Sequence, residues 1–289
     1  MRVFVTGATG FVGSAIVQEL LAAGHRVLGL ARSDAGARSL ASAGVEVHRG
    51  SLEDLDSLKR GAAAVDGVIH TAFSHDFSDF AANARADKLA IEAMTATLAG
   101  SGKPFVVTSG ALGLATEEDS PSHAFPRKSE EAGLSAAAQG VRAMVLRLSP
   151  SVHGDGDHGF VPALIKAARE KGFAMYVGEG KNVWPAVHRL DAAKLYRLAL
   201  ERGTSGARFH GVADQGIPIR DIAEIIGRHL SVPAVSKTPE EAAEHLGFIG
   251  QVLGMGGTSS SALTQERLGW RPTQPGLIQD LEHGRYFEA

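Results

Sequence analysis

The sequence predicts an α/β fold: a Rossmann-type doubly wound parallel sheet with a smaller interleaved C-terminal lobe. Three observations lead to this prediction. A glycine-rich loop directly follows an apolar strand at the N-terminus, apolar runs alternate with helical patterns as far as Pro150, and the pattern then loosens around Gly-rich segments. Strands that alternate with helices form parallel βαβ units with right-handed crossovers, so we expect one sheet to carry the first half of the chain.

The elements of the first half follow one another as strand and helix. The helix at 11–23 carries its apolar residues on one face and ends at Gly24, a residue type suited to the turn after a helix. The predicted series is strand 3–5, helix 11–23, strand 26–31, helix 35–43, strand 45–48, helix 55–63, strand 68–71, an Ala-rich helix at 79–100, and strands 105–109 and 141–148.

The second half has more loops. Gly-rich stretches at 154–159 and 178–180 interrupt it, and a strand at 208–212 is expected to return to the main sheet. The predicted helices are 160–171, 190–202, 218–230, 238–246 and 275–285. We therefore assign a dinucleotide-binding domain and a small substrate-binding lobe. The domain comprises 1–150 with 186–213 returning to it, and the lobe comprises 151–185 and 214–289.

The composition is that of a soluble globular protein. The 289 residues are 44% apolar and 21% charged, and the net charge of −3 comes without a dense basic run, so nothing indicates nucleic-acid binding. Cysteine is absent, which excludes disulfides and thiolate chemistry. No apolar stretch reaches the length of a transmembrane helix, and the first strand begins at Met1 without a signal peptide. We expect a cytoplasmic protein that contacts no membrane.

The glycine-rich loop (residues 6–13) is typical of dinucleotide binding. Gly7 permits the tight turn out of the strand, Gly10 lets the backbone approach a pyrophosphate, and Gly13 lets helix and sheet pack closely. The pyrophosphate would lie over the amide groups at the start of the next helix. The predicted contacts from this loop are Gly7, Thr9, Gly10, Phe11, Val12 and Gly13.

The second strand indicates which dinucleotide is preferred. It ends at Arg32 and Ser33, which suit a ribose 2′-phosphate, so we expect NADP(H) rather than NAD(H). Asp34 lies next to them and keeps NAD(H) open, because an acidic residue there would bind the ribose hydroxyl. Later strand ends add further expected cofactor contacts, which are Ser51, Leu52, Thr71, Ala72 and Phe73.

Over nearly its full length the chain resembles an extended or atypical short-chain dehydrogenase/reductase of the epimerase/dehydratase-like group. Besides residues 6–13, the resemblance rests on the segments 105–109, 147–154 and 187–191. These are similar, in order, to the family's active-site serine strand, the loop that reaches the nicotinamide, and the segment beside the substrate cleft. The resemblance implies cofactor contacts from Thr108, Pro150, Ser151 and Val152.

The chain departs from that family at its proton donor. The family uses a Tyr-x-x-x-Lys pair, and none of the three tyrosines, at 176, 196 and 286, has a lysine four residues later. The register places His123 and Arg127 at the positions of the tyrosine and lysine, as in an atypical His-x-x-x-Arg subgroup. Gly110 stands where the catalytic hydroxyl is expected, with Ser109 beside it.

The replacement changes the expected chemistry. Histidine titrates near neutrality, at about 6.5 unperturbed, and a neighbouring arginine lowers the pKa of an imidazolium. His123 is a candidate proton donor, and Arg127 is a candidate for orienting cofactor or substrate. Pro126 predicts that a helix begins there, with His123 in the preceding loop. The alternative is a surface histidine and an arginine that pairs with Glu131 on one helix.

Two further regions offer candidate substrate contacts. The loop 153–159 is dense in His, Asp and Gly, which favours a flexible loop around substrate over a metal site, and no metal is predicted. The expected substrate contacts are Gly110, His153, His158 and Trp184, although Trp184 in a hydrophobic core is the alternative interpretation.

The resemblance implies an NADP(H)-dependent oxidoreductase that acts on a small carbonyl or hydroxyl compound. The alternatives are a non-catalytic NADP(H)-binding redox sensor, which would explain the absent tyrosine, and a nucleotide-sugar epimerase or dehydratase. The small residues of the Ala-rich helix at 79–100 suit a homodimer interface as well as internal packing.

Overall fold

The computed structural model describes residues 1–74, 79–122 and 126–288. Its strands in chain order are β1 (Arg2–Thr6), β2 (Arg26–Ala31), β3 (Glu46–Arg49), β4 (Gly67–His70), β5 (Pro104–Gly110), β6 (Arg142–Leu148), β7 (Ser151–His153), β8 (Ala174–Val177), β9 (Val183–His188), β10 (Arg208–Gly211), β11 (Asp214–Pro218) and β12 (Ala234–Lys237).

The α-helices begin and end close to most of the predicted positions. They are α1 (Phe11–Ala22), α2 (Asp34–Ser42), α3 (Leu55–Ala63), α4 (Phe80–Thr97), α5 (Ser129–Ser135), α6 (Phe160–Lys171), α7 (Arg189–Arg202), α8 (Ile219–Leu230), α9 (Pro239–Leu246), α10 (Phe248–Leu253), α11 (Ala262–Leu268) and α12 (Leu277–His283). Within the described ranges, no helix combines the length and apolar character needed to cross a bilayer.

Seven strands form one parallel sheet in the order β10-β6-β5-β4-β1-β2-β3. The predicted Rossmann-type fold class is confirmed. From β1 the chain runs outward to β2 and β3 on one side, then returns to β4 and runs outward on the other. The direction therefore switches between β1 and β4, and a crevice opens at their carboxyl ends, where such sheets bind ligands.

Helices cover both faces of this sheet. On one face, Ile16 of α1 and Tyr196 of α7 belong to a core cluster with strand residues. On the other face, Leu58 of α3 and Met94 of α4 pack in a second cluster. Each of these four side chains is fully buried, so the sheet forms a rigid platform under the crevice.

The rest of the chain builds a third cluster beside the sheet. A three-stranded sheet (β11-β9-β7) and a two-stranded sheet (β12-β8) hold it, with helices such as α6 and α8 packed against them. Strand β10 lies beside β6 at the edge of the large sheet. The second lobe, at 151–185 and 214–289, remains our proposal for how the chain divides.

The sequence missed β7, β8, β9, β11 and β12, as well as the short helices α10 and α11. The missed strands have three to six residues, and they lie in the second half of the chain, where no regular alternation of strands with helices marks them. The long helix predicted at 79–100 is shorter, ending at Thr97, because the chain turns through Leu98 and the left-handed Gly100.

Candidate active site

The glycine-rich loop is shaped by contacts that leave no room for side chains. Gly7 has a φ of +70°, and a Cβ on it would lie 2.7 Å from Oγ1 of Thr71. A Cβ on Gly13 would lie 1.9 Å from the carbonyl oxygen of Gly7. The two glycines therefore let β1, β4 and α1 approach one another at the crevice.

The start of α1 offers free hydrogen-bond donors. Gly10 is the N-terminal cap, and the first turn carries no acidic side chain. In the described chain the backbone N–H groups of Phe11, Val12 and Gly13 have no acceptor, whereas that of Ser14 bonds to Gly10. Free amides at the positive end of a helix dipole fit a pyrophosphate, so this loop has the shape and charge that a dinucleotide requires.

Two arginines lie at the carboxyl ends of β2 and β3. Arg32 is exposed, and the hydroxyl of Ser33 caps α2 by accepting from the N–H of Gly36 at 3.1 Å. Arg49 forms an ion pair with Asp34 and donates to the carbonyl of Ser33 at 2.6 Å. The carboxylate of Asp34 is therefore paired with Arg49, a residue that sequence reasoning did not identify.

The remaining expected cofactor contacts lie around the crevice. Ser51 and Leu52 follow β3 and are half-buried. Thr71 donates to the carbonyl of Thr6 at 2.8 Å, and the N–H of Ala72 donates to the hydroxyl of Thr6 at 3.3 Å. These bonds fix the chain after β4 against the end of β1, where it can pass beneath the cofactor riboses.

Arg127 is held at the crevice by four contacts. Its Nε donates to the hydroxyl of Ser129 at 2.7 Å and lies 3.6 Å from Oδ2 of Asp87. Its Nη2 donates to the carbonyl of Thr108 at 3.1 Å, and the guanidinium lies 4.1 Å above the ring of Phe73. In the described part of the chain, Nη1 has no hydrogen-bond partner.

Behind Arg127 lies a buried chain of hydrogen bonds that reaches the glycine-rich loop. Asp87 accepts at Oδ2 from the hydroxyl of Ser129 and lies 3.1 Å, through Oδ1, from Nε2 of His70. Nδ1 of His70 lies 2.8 Å from the hydroxyl of Thr6. Burial raises the pKa of Asp87, but bonding to His70 and the charge of Arg127 outweigh it and hold that pKa below its ordinary value.

The segment before α5 differs from its prediction. The helix begins at Ser129, not at Pro126, so Arg127 precedes the helix. It consequently pairs with Asp87 of α4 and not with Glu131 one turn further on. His123 lies outside the described residues, and its role as proton donor stays a prediction.

The end of β5 presents Thr108, Ser109 and Gly110 in turn. Thr108 is buried, donates to the carbonyl of His70 at 2.7 Å and lies 2.7 Å from the hydroxyl of Tyr196, so its hydroxyl is occupied. Ser109 is half-buried, and its hydroxyl has no partner in the described chain. Gly110 is exposed, and a Cβ there would meet no atom within 4 Å.

Two of the tyrosines, Tyr196 and Tyr286, are bound within the protein and do not take the place of the missing donor. Tyr196 lies fully buried on α7 under the sheet, and burial raises the pKa of its hydroxyl. Tyr286 donates to Asp157 at 2.9 Å, and burial together with that carboxylate raises its pKa as well. Both hydroxyls stay protonated and bound to the protein at neutral pH.

The loop after β6 closes one side of the crevice. Pro150 and Val152 are half-buried, whereas Ser151 and His153 are buried. Nδ1 of His153 lies 2.8 Å from Oδ2 of Asp280 on α12. Ring Nε2 of His153 and the Ser151 hydroxyl are buried without a hydrogen-bond partner in the described chain. His153 therefore fastens this loop to α12 from within, and it has no exposed surface for a substrate.

His158 of the same loop and Arg189, which bonds to that loop, both lie beside the first residue of α1. The ring of His158 lies 5.7 Å from that of Phe11, the first residue of α1. The guanidinium of Arg189 lies 5.0 Å from the same ring and donates to the carbonyl of Asp155 at 2.8 Å. In the described chain Arg189 has no carboxylate partner. The sequence placed the segment 187–191 beside the substrate cleft but did not predict the contact between Arg189 and Phe11, because the two residues are far apart along the chain.

Trp184 is a core residue. Its side chain is fully buried in the third hydrophobic cluster, it packs against Phe160, and its indole N–H donates to the carbonyl of Met255 at 2.9 Å. The expectation that Trp184 contacts substrate is therefore wrong, because inward-facing positions on β9 fill this core. The alternative, core packing, is what the structure has.

Among the described residues, no group of three or more histidine, aspartate and glutamate side chains could hold a metal ion. The His-rich loop illustrates the reason. His153 pairs with Asp280, and His158 turns toward Phe11. Asp157 accepts from Tyr286 and from the N–H of Gly159. Burial raises the pKa of Asp157.

Comparisons with known proteins agree with this geometry. Residues 3–211 match the model of the NAD dependent epimerase/dehydratase family. The chain is 50% identical to an uncharacterized protein of Schizosaccharomyces pombe, over 99% of this chain and 100% of that one. It is 26% identical to a 4-hydroxy-2-methyl-3-oxo-4-farnesyl-3,4-dihydroquinoline-1-oxide ketoreductase of Stigmatella aurantiaca, over 88% and 80%. A dTDP-glucose 4,6-dehydratase of Streptomyces venezuelae, solved with NAD bound, superposes with a TM-score of 0.79 at 20% identity over 99% and 97%.

Proposed function

Because the chain belongs to the NAD dependent epimerase/dehydratase family, we propose that it is an NADP(H)-dependent oxidoreductase acting on a small carbonyl or hydroxyl compound. One observation carries the proposal: Arg127 lies at the crevice beside the glycine-rich loop, where no described residue bonds its Nη1, and a buried network that starts at Thr6 of that loop holds it. A ketoreductase among the relatives supports carbonyl chemistry.

Each residue has a separate role in this proposal. A bound dinucleotide supplies or accepts the hydride at the substrate carbon. Arg127 donates a hydrogen bond to the substrate oxygen and stabilises the negative charge that develops there. His123 gives that oxygen its proton during reduction, and the hydroxyl of Ser109, which bonds to no described residue, is a second donor near the end of β5.

The preference for NADP(H) is supported by charge at the ends of β2 and β3. Arg32 is exposed there, and Arg49 masks the carboxylate of Asp34. A 2′-phosphate would gain charge-assisted bonds from this pair of guanidinium groups. We expect Arg32→Gln to weaken NADPH binding about tenfold, and NADH binding by less than about twofold, in fluorescence titrations. Equal weakening for both cofactors would overturn the NADP(H) preference.

A carbonyl panel tests the activity itself. Wild type, His123→Ala and Arg127→Ala are compared for NADPH binding and for turnover of aldehydes, ketones and β-keto esters. We expect turnover by wild type and losses of about 100-fold in each variant. Tight NADPH binding without turnover of any compound by wild type would favour the redox-sensor alternative. Full turnover in both variants would remove these roles from His123 and Arg127.

The outward face of α4 supports a homodimer. Ala82, Ala86 and Ala93 are half-buried at helical spacing, and Leu89 between them is 51% exposed. A stripe of small residues around one exposed leucine fits close packing against the same helix of a second copy. We expect a dimer in light scattering, and Leu89→Arg should convert it to a monomer that still binds NADPH. A wild-type monomer would contradict the proposal.

A further inference from the structure

Among the residues that the structure describes, three phenylalanine rings form a row that starts at Arg127. The guanidinium of Arg127 lies 4.1 Å above the Phe73 ring, and the Phe73 and Phe80 ring centres are 5.9 Å apart. Phe80 stacks on Phe248, with centres again 5.9 Å apart and planes inclined by 21°. We call Phe73, Phe80 and Phe248 the phenylalanine row.

The row connects separate parts of the fold. Phe73 lies three residues beyond the end of β4, Phe80 begins α4, and Phe248 begins α10 in the second lobe. All three side chains are partly exposed. The phenylalanines of the sheet core behave differently: Phe4 and Phe105 are 0% exposed. The row thus lies at a surface between the sheet and the second lobe, next to the proposed catalytic arginine.

Aromatic faces arranged in this way select particular ligands. They bind planar unsaturated groups through offset or edge contacts, and phenyl side chains offer no hydrogen bond to hydroxyls or phosphates. A cation at one end of the row adds a donor for an oxygen atom. A sugar nucleotide would leave its polar groups unpaired against such a wall, whereas a carbonyl joined to an aryl or conjugated group matches both parts.

We infer that the phenylalanine row is the substrate-selecting wall, and that the substrate is a carbonyl compound with a planar apolar substituent. The carbonyl oxygen faces Arg127, and the substituent lies along Phe73, Phe80 and Phe248. This inference rests on the proposed function, because it takes the oxygen contact of Arg127 from there.

Two substrates that differ only in the substituent test the inference. Ethyl benzoylacetate and ethyl acetoacetate share their keto ester, so the ratio of their kcat/KM values measures recognition of the phenyl group. Wild type should prefer the benzoyl compound by about 10-fold or more, and Phe248→Leu or Phe80→Leu should reduce that preference by about 3- to 10-fold. Phe287→Leu is the matched control, since Phe287 stacks on His229 away from the row. A ratio unchanged in both row variants would overturn the inference.

A binding measurement separates this inference from the activity. Phenylacetate and acetate are titrated into the NADPH-bound protein and followed by ligand-observed NMR. We expect tighter binding of phenylacetate, lost in Phe248→Leu but kept in Phe287→Leu. Equal binding of the two acids would overturn the phenylalanine row as a selecting wall even if the enzyme reduces carbonyls. If no carbonyl is reduced, the proposed function fails, and a Phe248-dependent preference would still support the row.

Discussion

Nε of Arg127 lies 3.6 Å from Oδ2 of Asp87, whose carboxylate is buried on α4. The other carboxylate oxygen, Oδ1, is hydrogen-bonded to His70. The pair connects a ligand-facing cation to the interior of the fold. Removing a partner of a buried charge is energetically costly, because the charge is then left unpaired where water cannot solvate it. Asp87 therefore fixes where Arg127 points, and His70 with Thr6 fixes where Asp87 points.

The first prediction concerns the stability supplied by Asp87. Asp87→Asn should lower the free energy of unfolding by about 1–3 kcal/mol, because His70, Ser129 and Arg127 lose a charged acceptor. Urea unfolding followed by circular dichroism measures the change. Glu92→Gln on the same helix removes the exposed ion pair with Lys88 and should cost less than about 1 kcal/mol. Equal losses of unfolding free energy in the two variants would mean that the buried network stabilises the fold no more than an exposed ion pair does.

The second prediction is the pH dependence of that contribution. His70, Arg127 and Ser129 outweigh burial and hold the pKa of Asp87 in the folded protein below its ordinary value of 3.8. The ionised carboxylate therefore stabilises the fold above pH 3.8, and this stability is lost as the pH falls through the lower folded pKa. The difference in unfolding free energy between wild type and Asp87→Asn should shrink on acidification. If this free-energy difference instead grows on acidification, the ionised carboxylate of Asp87 does not stabilise the fold.

The third prediction compares two glycines. Gly13→Ala places a methyl 1.9 Å from the Gly7 carbonyl, so α1 must shift away from the crevice. We expect NADPH affinity to fall by at least about 100-fold, because the free amides at the helix start move with it. Gly110→Ala meets open space and should leave the melting temperature and NADPH affinity unchanged. Titration of both variants with NADPH measures the two affinities, and unimpaired binding by Gly13→Ala would contradict dinucleotide binding at the glycine-rich loop.

The fourth prediction concerns Arg189, whose guanidinium lies 5.0 Å from the Phe11 ring. If its charge acts on the cofactor pyrophosphate, Arg189→Gln should weaken NADH and NADPH binding by the same factor, about 3- to 10-fold. Arg32→Gln, by contrast, should affect NADPH alone. The affinities are measured at two salt concentrations, and the affinity of the variant should change less with salt than that of wild type. Unchanged affinity for both dinucleotides would mean that Arg189 only holds the loop in place through its bond to the carbonyl of Asp155.

Local patterns in the sequence predicted a large part of the fold. The helix starting at Phe11 and the alternation of strands and helices depend on neighbouring residues, and these elements match the structure closely. The polar network could not be predicted in the same way, because His70 and Asp87 lie on different elements and meet only after α4 packs on the sheet. In the sequence, His70 and Asp87 show only the pattern of an ordinary strand and an ordinary helix.

The mistaken expectations have similar physical causes. Trp184 was expected at the cleft, but it alternates inward on β9, a strand whose pairing with β7 and β11 is set by distant segments. The helix α5 starts at Ser129 and not at Pro126, and Arg127, which precedes it, bonds instead to the carbonyl of Thr108 and pairs with Asp87. In each instance a tertiary contact outweighed local preference.

Single-turnover transfer of deuterium from NADPH labelled at C4 of its dihydronicotinamide tests the central claim most directly. We predict that wild type places the label on the carbonyl carbon of ethyl benzoylacetate. In Arg127→Ala saturated with NADPH, the rate should fall about 100-fold. No transfer to any carbonyl by NADPH-saturated wild type, or transfer at the wild-type rate by Arg127→Ala, would contradict the account.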